Sequence, residues 1–212
     1  MNTPAIQCQK VCKSYGKQNV LDNIELEVPE GNFYGLVGVN GSGKSTLIKA
    51  ILDLVSIDNG VITIFGKSHR GVNAREQIAY LPDRFSPPIH LKCKDFIHYM
   101  LELHSSRQNN AEIDKMLDAL ELDRKIMGSS VGRLSKGMTQ KLGLASCLLS
   151  RKNLLILDEP MSGLDPKARI SFKTQLFRLK QQGVTVFFSS HVLADVHELA
   201  DKLGVLLKSR IL

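Results

Sequence analysis

A glycine-rich segment of the chain has the residue types and spacing needed to bind phosphate. Its sequence is Gly38-Val39-Asn40-Gly41-Ser42-Gly43-Lys44-Ser45, which matches G-x-x-x-x-G-K-[ST]. An apolar run typical of a buried strand precedes it and a helical pattern follows, as this motif requires. The glycines let backbone N–H groups converge on phosphate oxygens at a helix N-terminus. The alternative, a chance glycine turn before an ordinary helix, is disfavoured by this order of elements.

Individual residues of this segment are expected to contact different parts of a magnesium nucleotide. The Lys44 ammonium is expected between the β- and γ-phosphates of a nucleotide, and the Ser45 hydroxyl is expected on Mg²⁺. The other candidate nucleotide contacts in and after the loop are Gly38, Asn40, Gly41, Ser42, Gly43 and Thr46. The sequence therefore predicts a site for a magnesium nucleotide.

Two neighbouring acids at the end of an apolar run could serve a metal ion and a water molecule. Asp158 and Glu159 directly follow the strand-like run 154–157. Ligands collect at the carboxyl ends of strands in open α/β sheets, so we expect Asp158 to hold the water shell of Mg²⁺. Glu159 is the candidate general base for an attacking water. Either acid alone could merely end a strand, but together with the glycine-rich segment they favour phosphoryl chemistry.

The elements that must position these residues alternate between strand and helix patterns. Residues 24–28 alternate apolar and acidic side chains, 33–39 form an apolar run, and 45–55 have helical character. Further strands are predicted at 61–65, 78–81, 154–157, 184–188 and 203–207, with helices after Pro166 and at 193–200. This alternation predicts an α/β fold with a mainly parallel sheet and helices on its faces.

The middle of the chain has a helical texture of its own. Four apolar residues there have the spacing i, i+3, i+4 and i+7, with Asn110 as the expected N-cap: Ile113, Met116, Leu117 and Leu120. We therefore interpret 1–212 as a single domain that has two parts. The nucleotide-binding core comprises 1–83 and 151–212, and the helical lobe comprises 84–150.

The composition is that of a folded globular chain with a net positive charge. Of 212 residues, 43% are hydrophobic and 23% are charged, and the net charge is +7. Such a charge suits nucleic acid, an anionic membrane or a polyphosphate, but the scattered basic residues after Pro166 have the spacing of a solvated helix face. No apolar run approaches the length of about 18 residues that a membrane-spanning helix needs. We expect no nucleic-acid partner.

The ends and the cysteines add two expectations. Residues 1–9 lack the basic start and long apolar stretch of a secretion signal, so we expect a cytoplasmic location. The chain stops at Leu212, soon after its last predicted strand, so a truncated chain is one interpretation. The cysteines show no spacing typical of metal ligands and are interpreted as mostly buried thiols: Cys8, Cys12, Cys93 and Cys147.

A third motif completes an ordered set that resembles the ATP-binding cassette (ABC) family. Leu134-Ser135-Lys136-Gly137-Met138 is similar to the family signature Leu-Ser-Gly-Gly-Gln, with Lys136 and Met138 in place of a glycine and the glutamine. Taken alone, Ser135 could simply cap a helix. The resemblance covers essentially the whole chain and implies a P-loop NTPase fold: a mainly parallel sheet, an antiparallel β subdomain and an inserted helical lobe.

The family resemblance also implies a reaction and further site residues. It implies that two cassettes, here expected to be a homodimer, close head to tail on ATP, and that Ser135 and Gly137 of one cover the γ-phosphate bound by the other. It places Asp165 in a loop at that interface, His191 on the γ-phosphate as a catalytic residue, as Lys44 and Glu159 are, and Tyr15 on the adenine. Without the resemblance, the last three would be a turn residue, a structural histidine and a packing aromatic.

One residue departs from the family pattern. Asp83 stands where the family usually has a glutamine that contacts the metal site and the coupling region. An aspartate still accepts a hydrogen bond from magnesium-bound water, but it is shorter, charged and unable to donate. We hypothesise that it alters the coupling of nucleotide to the membrane partner. Asp83→Gln is then expected to change the ATPase rate or its stimulation by that partner, and unchanged values of both contradict the hypothesis.

The resemblance implies an ABC transporter subunit that drives a separate transmembrane permease, possessing features of the ABC-2 exporter branch. It would lie on the cytoplasmic face of the cell membrane. Two alternatives stay open: a soluble cassette ATPase for assembly or repair, and a nucleotide-binding module that does not hydrolyse. Glu159 and His191 argue against the second alternative. The transported substrate and the direction of transport are not encoded in these motifs.

Overall fold

The computed structural model describes residues 3–212 and shows an α/β protein. Its strands are β1 (Ile6–Tyr15), β2 (Gln18–Val28), β3 (Phe33–Val37), β4 (Asn59–Ile64), β5 (Lys67–Ser68), β6 (Ile78–Leu81), β7 (Leu154–Leu157), β8 (Thr185–Ser190), β9 (Lys202–Leu207) and β10 (Arg210–Ile211). Its helices are α1 (Lys44–Ile51), α2 (Val72–Arg75), α3 (Cys93–Leu103), α4 (Asn110–Ala119), α5 (Lys136–Leu149), α6 (Pro166–Gln181) and α7 (Leu193–Leu199).

The chain forms two compact units. The first comprises the chain as far as Ile78, together with Asn153–Glu159 and Lys180–Leu212. The second comprises Ala79–Lys152 and Pro160–Leu179. The proposed division into a nucleotide-binding core and a helical lobe stays a prediction. Within residues 3–212, no helix combines the length and the apolar character needed to cross a bilayer.

A mainly parallel sheet forms the centre of the first unit. The strands of this sheet that belong to the first unit lie in the order β10-β9-β3-β8-β7. Strand β3 pairs in parallel with both β8 and β9, and β7 pairs in parallel with β8. Every residue of β7 and β8 is buried, as expected for strands that have helices on both faces. The predicted α/β fold with a parallel sheet is therefore confirmed. Because the strands are parallel, the carboxyl ends of β3, β7 and β8 meet at one edge.

A smaller antiparallel sheet completes the first unit, in the order β2-β1-β4-β5. Its longest unpredicted strand is β1, whose pairing with β2 shifts register at several points along Cys8–Ser14. Lys10 at one such irregularity has a φ of 52°, in the left-handed region. A bulge interrupts the alternation of apolar and polar side chains, which explains why β1 was not recognised from its sequence.

The second unit is largely helical and corrects one predicted helix cap. Asn109, rather than Asn110, caps α4: its Oδ1 accepts from the Glu112 N–H at 2.9 Å, and Glu112 Oε2 accepts from the Asn109 N–H at 3.0 Å. This reciprocal capping box satisfies two backbone donors that the helix cannot pair. Asn110 is then the first helical residue, one position inside the predicted boundary.

Three of the four cysteines are buried, and none forms a disulfide. Burial raises the pKa of Cys8 to about 12 and that of Cys147 to about 12, and it also raises the pKa of Cys93. Cys12 is partly exposed. The buried thiols therefore stay protonated near neutral pH and pack as small apolar side chains, as the sequence predicted.

Candidate functional site

The N-terminus of α1 forms an uncapped cradle directly after β3. Its N-cap residue, Gly43, has a φ of 108°, and no side chain caps the helix. A Cβ atom at this position would lie 2.9 Å from the carbonyl oxygen of Val20, so only glycine fits this turn. The first N–H groups of a helix have no intrahelical acceptor, and the helix dipole makes this end partly positive. The cradle is therefore suited to an anion.

Lys44 brings a positive charge into the cradle. Its Nζ donates to the Gly38 carbonyl at 2.7 Å and to the Val39 carbonyl at 3.4 Å, and the residue is only 6% exposed. The same Nζ lies 3.4 Å from Glu159 Oε1. These contacts hold the ammonium across the curled loop. When a phosphate enters the loop, its oxygens can replace the carbonyl and carboxylate oxygens as partners of the ammonium.

The two acids at the end of β7 are tied to the neighbouring strand by Ser189. The Ser189 hydroxyl donates to Asp158 Oδ1 at 2.5 Å and accepts from the Glu159 N–H at 2.9 Å. β7 and β8 are parallel neighbours with Leu157 opposite Phe188, so the residues just beyond this pair come together. Sequence reasoning did not include Ser189 among the site residues. The only sequence feature that indicates Ser189 is its position as a polar residue at the end of a buried strand.

Glu159 joins two other predicted catalytic residues. Its Oε2 lies 2.8 Å from His191 Nδ1, while its Oε1 faces Lys44. Its backbone has a φ of 51°, a left-handed conformation that is uncommon for residues other than glycine and often occurs at functional sites. The turn directs the backbone of Glu159 out of the line of β7. The structure therefore brings Lys44, Glu159 and His191 into one chain of contacts.

Two buried polar atoms of this region are suited to contact with a polar ligand. Across residues 3–212, the buried side-chain oxygens without a hydrogen-bond partner are Ser42 Oγ and Glu159 Oε1. Buried polar atoms normally have partners, so Ser42 Oγ is suited to a bound nucleotide, and Glu159 Oε1, which faces the Lys44 ammonium at 3.4 Å, can still accept a hydrogen bond from water. The described residues hold no group of three or more His, Cys, Asp or Glu side chains able to bind a metal. Mg²⁺ in nucleotide sites takes few protein ligands and completes its shell with phosphate and water, which Ser45 and Asp158 suit.

Tyr15 lies at the end of β1 and is 48% exposed. It pairs with Gln18 across the turn into β2. A depression of about 290 Å³ is lined by Gln18 and Asn19 on one side and by the glycine-rich loop at Asn40 and Gly41 on another. Gln18, the pairing partner of Tyr15, therefore lines the same depression as the glycine-rich loop.

Thr46 lies in α1 of the first unit, whereas Ser135, Gly137, Asp165 and Asp83 lie in the second unit. Ser135 caps α5 by accepting from the Met138 N–H at 3.2 Å, and a Cβ atom on Gly137 would lie 3.1 Å from the Gly163 carbonyl. Asp165 accepts from the Ala168 N–H at 2.8 Å, and this bond, with Lys141, lowers the pKa of its carboxyl. Asp83 is exposed just beyond β6. In a single chain, Ser135 and Asp165 have local capping roles.

We expect Ser189→Ala to lower the free energy of unfolding by about 1–3 kcal/mol, because it leaves the buried Asp158 carboxylate and the Glu159 N–H each without a partner. Chemical denaturation monitored by circular dichroism measures the change. The matched control is Ser68→Ala, at an exposed position of β5, which is expected to alter stability by less than about 0.5 kcal/mol. Equal stability of both variants contradicts the role given to Ser189.

Comparison with known proteins shows that this chain is similar to ATP-binding proteins of ABC transporters. Residues 21–162 match the model of the family described as ABC transporter. The lantibiotic transport ATP-binding protein SrtF of Streptococcus pyogenes is 32% identical over 207 residues, covering 98% of this chain and 89% of that protein. An uncharacterized ABC transporter ATP-binding protein of Synechocystis is 33% identical over 199 residues, which cover 92% of this chain. The same match covers only 56% of that relative, so this chain spans little more than half of its length.

Solved structures have the same fold. The structure of an ATP-binding subunit of an ABC transporter superposes with a TM-score of 0.88 at 28% identity, covering 98% of this chain and 88% of that one. The glycine-rich loop, the acidic strand end and the signature-like segment therefore lie in a chain whose fold is that of known ATP-binding cassettes.

Proposed function

The chain belongs to the ABC transporter family, and from this premise we propose that it is the ATP-binding and ATP-hydrolysing subunit of a transporter. The carrying observation is the chain of contacts from Lys44 through Glu159 to His191, beside the uncapped end of α1. These contacts support a single site that contains a phosphate-binding cation, a carboxylate base and a second polar group. A site that only bound nucleotide would have no need for the base.

Nucleotide binding uses the first unit of the chain. The α1 N-terminus and Lys44 bind the phosphates, and Tyr15 stacks against the adenine. Ser45 and Asp158 would hold Mg²⁺. The metal ion, when bound, neutralises phosphate charge and orients the γ-phosphate. Ser189 keeps the Asp158 carboxylate oriented through the 2.5 Å hydrogen bond.

Hydrolysis depends on Glu159 accepting a proton from the attacking water. Its contact with His191 Nδ1 holds the carboxylate and offers a hydrogen-bonding group for the γ-phosphate or the water. General-base catalysis typically contributes about 10²–10⁴ in rate. Nucleotide entry replaces the Lys44–Glu159 contact with contacts to phosphate, which frees Glu159 for this role.

The site is completed by a second copy of the chain. We propose that Ser135 and Gly137 of the partner cassette bind the exposed γ-phosphate and that Asp165 lies at the shared interface. The 2.8 Å capping bond from the Ala168 N–H holds Asp165 at the start of α6, and Ser135 similarly starts α5. Two helix N-termini with exposed polar residues are suited to this contact with phosphate and with the partner. ATP closes the dimer and hydrolysis opens it, so only contacts unique to the closed state can drive a permease.

We propose that the subunit is peripheral on the cytoplasmic face of the membrane and acts on a separate permease of the ABC-2 exporter branch. The test is purification of the tagged protein from detergent extracts of its native cells, followed by mass spectrometry and an ATPase assay with and without Mg²⁺. The expected result is a co-purifying polytopic membrane protein and Mg²⁺-dependent phosphate release. ATPase activity with no membrane partner favours a soluble assembly ATPase, and absence of phosphate release contradicts the proposal.

A further inference from the structure

A buried lysine lies against the proposed adenine platform. Lys13 Nζ lies over the ring of Tyr15, 5.3 Å from its centroid. The Lys13 side chain is only 10% exposed, whereas Tyr15 is about half exposed. A cation within about 6 Å of an aromatic centroid is attracted by the ring quadrupole. Since the ammonium occupies one face of the ring, a base can stack only on the other.

Asp58 holds this lysine and the backbone that carries the ring. Its Oδ1 accepts from Lys13 Nζ at 3.2 Å, its Oδ2 accepts from the Ser14 N–H at 2.6 Å, and its own N–H donates to the Cys12 carbonyl at 2.9 Å. The Ser14 N–H and the Lys13 ammonium hold the pKa of the Asp58 carboxyl below its usual range. Asp58 therefore contacts all three residues that precede Tyr15.

We propose that Lys13 and Asp58 are positioning residues for the nucleobase, which fix the Tyr15 ring and polarise it for stacking. This inference rests on the proposed function, because it assumes that adenine stacks on Tyr15. Asp58 lies between α1 and β4, so one stretch of chain runs from the phosphate cradle at the N-terminus of α1 to the clamp on the ring. Base and phosphates are thereby held in one relative position.

The Lys13 ammonium polarises the Tyr15 ring in the direction that favours stacking on the opposite face. An aromatic ring repels the π-electrons of a second ring stacked directly on it, because both faces carry partial negative charge. The Lys13 ammonium draws electron density towards its own face and reduces that repulsion on the opposite face. Lys13 could instead act as a general positive charge that attracts the triphosphate. The two roles differ in one respect, because only the first depends on the base.

The test compares two probes that share phosphates but differ in the base: ATP and inorganic tripolyphosphate, both with Mg²⁺. Calorimetry measures their affinity for the wild type, Lys13→Met, Lys13→Arg and Asp58→Asn. Lys17→Met is the matched control, because Lys17 also lies two residues from Tyr15 but is exposed in the turn between β1 and β2. Tyr15→Ala, alone and with Lys13→Met, completes a double-mutant cycle.

We expect Lys13→Met to weaken ATP binding about 3- to 10-fold and to change tripolyphosphate binding by less than about 2-fold. Lys13→Arg is expected to restore most of the ATP affinity, Lys17→Met to leave it unchanged, and Lys13→Met to have no further effect beside Tyr15→Ala. Asp58→Asn is expected to weaken the binding of ATP but not that of tripolyphosphate. It serves as the second test if Lys13→Met does not fold.

Equal losses for ATP and tripolyphosphate, or a Lys13→Met effect that persists without the Tyr15 ring, overturn the inference. Unchanged ATP affinity in both Lys13→Met and Asp58→Asn also overturns it. Wild-type protein that binds neither probe would instead contradict the proposed function. The two failures are therefore distinguishable within one set of titrations.

Discussion

Glu159→Gln is expected to lower ATPase turnover about 10²–10⁴-fold while ATP binding persists. Glutamine has the same shape and can still contact His191 Nδ1, which lies 2.8 Å from Glu159 Oε2, but it cannot accept a proton at neutral pH. The change also removes the negative charge that faces Lys44 at 3.4 Å, so nucleotide no longer displaces an ion pair. We therefore expect ATP affinity to be equal to or higher than that of the wild type.

Turnover is measured by phosphate release, and nucleotide affinity by calorimetry with MgATP. Size-exclusion chromatography in MgATP is expected to show a stable dimer of the variant, because closure occurs but hydrolysis does not reopen it. Glu30→Gln is the control, since it removes a carboxylate from an exposed turn far in sequence from the site. Turnover equal to wild type in Glu159→Gln removes this residue from the mechanism, and a variant that stays monomeric in ATP contradicts the proposed closure.

Lys44→Met is expected to weaken MgATP binding about 10- to 100-fold, because a charge-assisted hydrogen bond to phosphate is worth about 1.5–3 kcal/mol. Methionine keeps the length of the side chain but loses the ammonium that donates to the Gly38 carbonyl at 2.7 Å. The Glu159 carboxylate also loses the ammonium that lies 3.4 Å from its Oε1. That carboxylate then faces the incoming phosphates uncompensated, which opposes binding further.

Lys49→Met provides the matched control, because Lys49 lies on the exposed side of the same helix. It removes an equal charge from α1 and is expected to change MgATP affinity by less than about 2-fold. Circular dichroism at rising temperature checks that both variants are folded. If Lys44→Met binds MgATP as tightly as Lys49→Met does, the phosphate cradle is not at the α1 N-terminus.

The local elements of the site were predictable because they depend on short stretches of chain. The loop 38–45 has a spacing that only a strand–loop–helix turn satisfies, and the structure has β3 before it and α1 after it. The apolar run of β7 was equally clear, since a strand buried on both faces needs apolar residues at every position. Helix ends were less exact: α1 ends at Ile51 rather than 55, and the cap of α4 is Asn109.

Irregular and non-local features were not predictable in the same way. β1 was missed because its bulge near Lys10 breaks the alternation on which strand recognition depends. Ser189 was passed over because a serine at the end of a strand has many ordinary roles. Its importance comes from the pairing of β7 with β8, which brings it within 2.5 Å of a carboxylate 31 positions away.

The amino-acid order alone determined which chemistry is present: a phosphate loop, two acids after a buried strand and a signature-like helix start. Those properties follow from residue type and near-neighbour spacing, which act over one turn or one strand. Tertiary structure alone decided that Glu159 lies between Lys44 and His191, and that Asp58 and Lys13 hold the ring of Tyr15. The reason is physical, since contacts between distant segments depend on sheet order and register, which emerge only when all strands pack together.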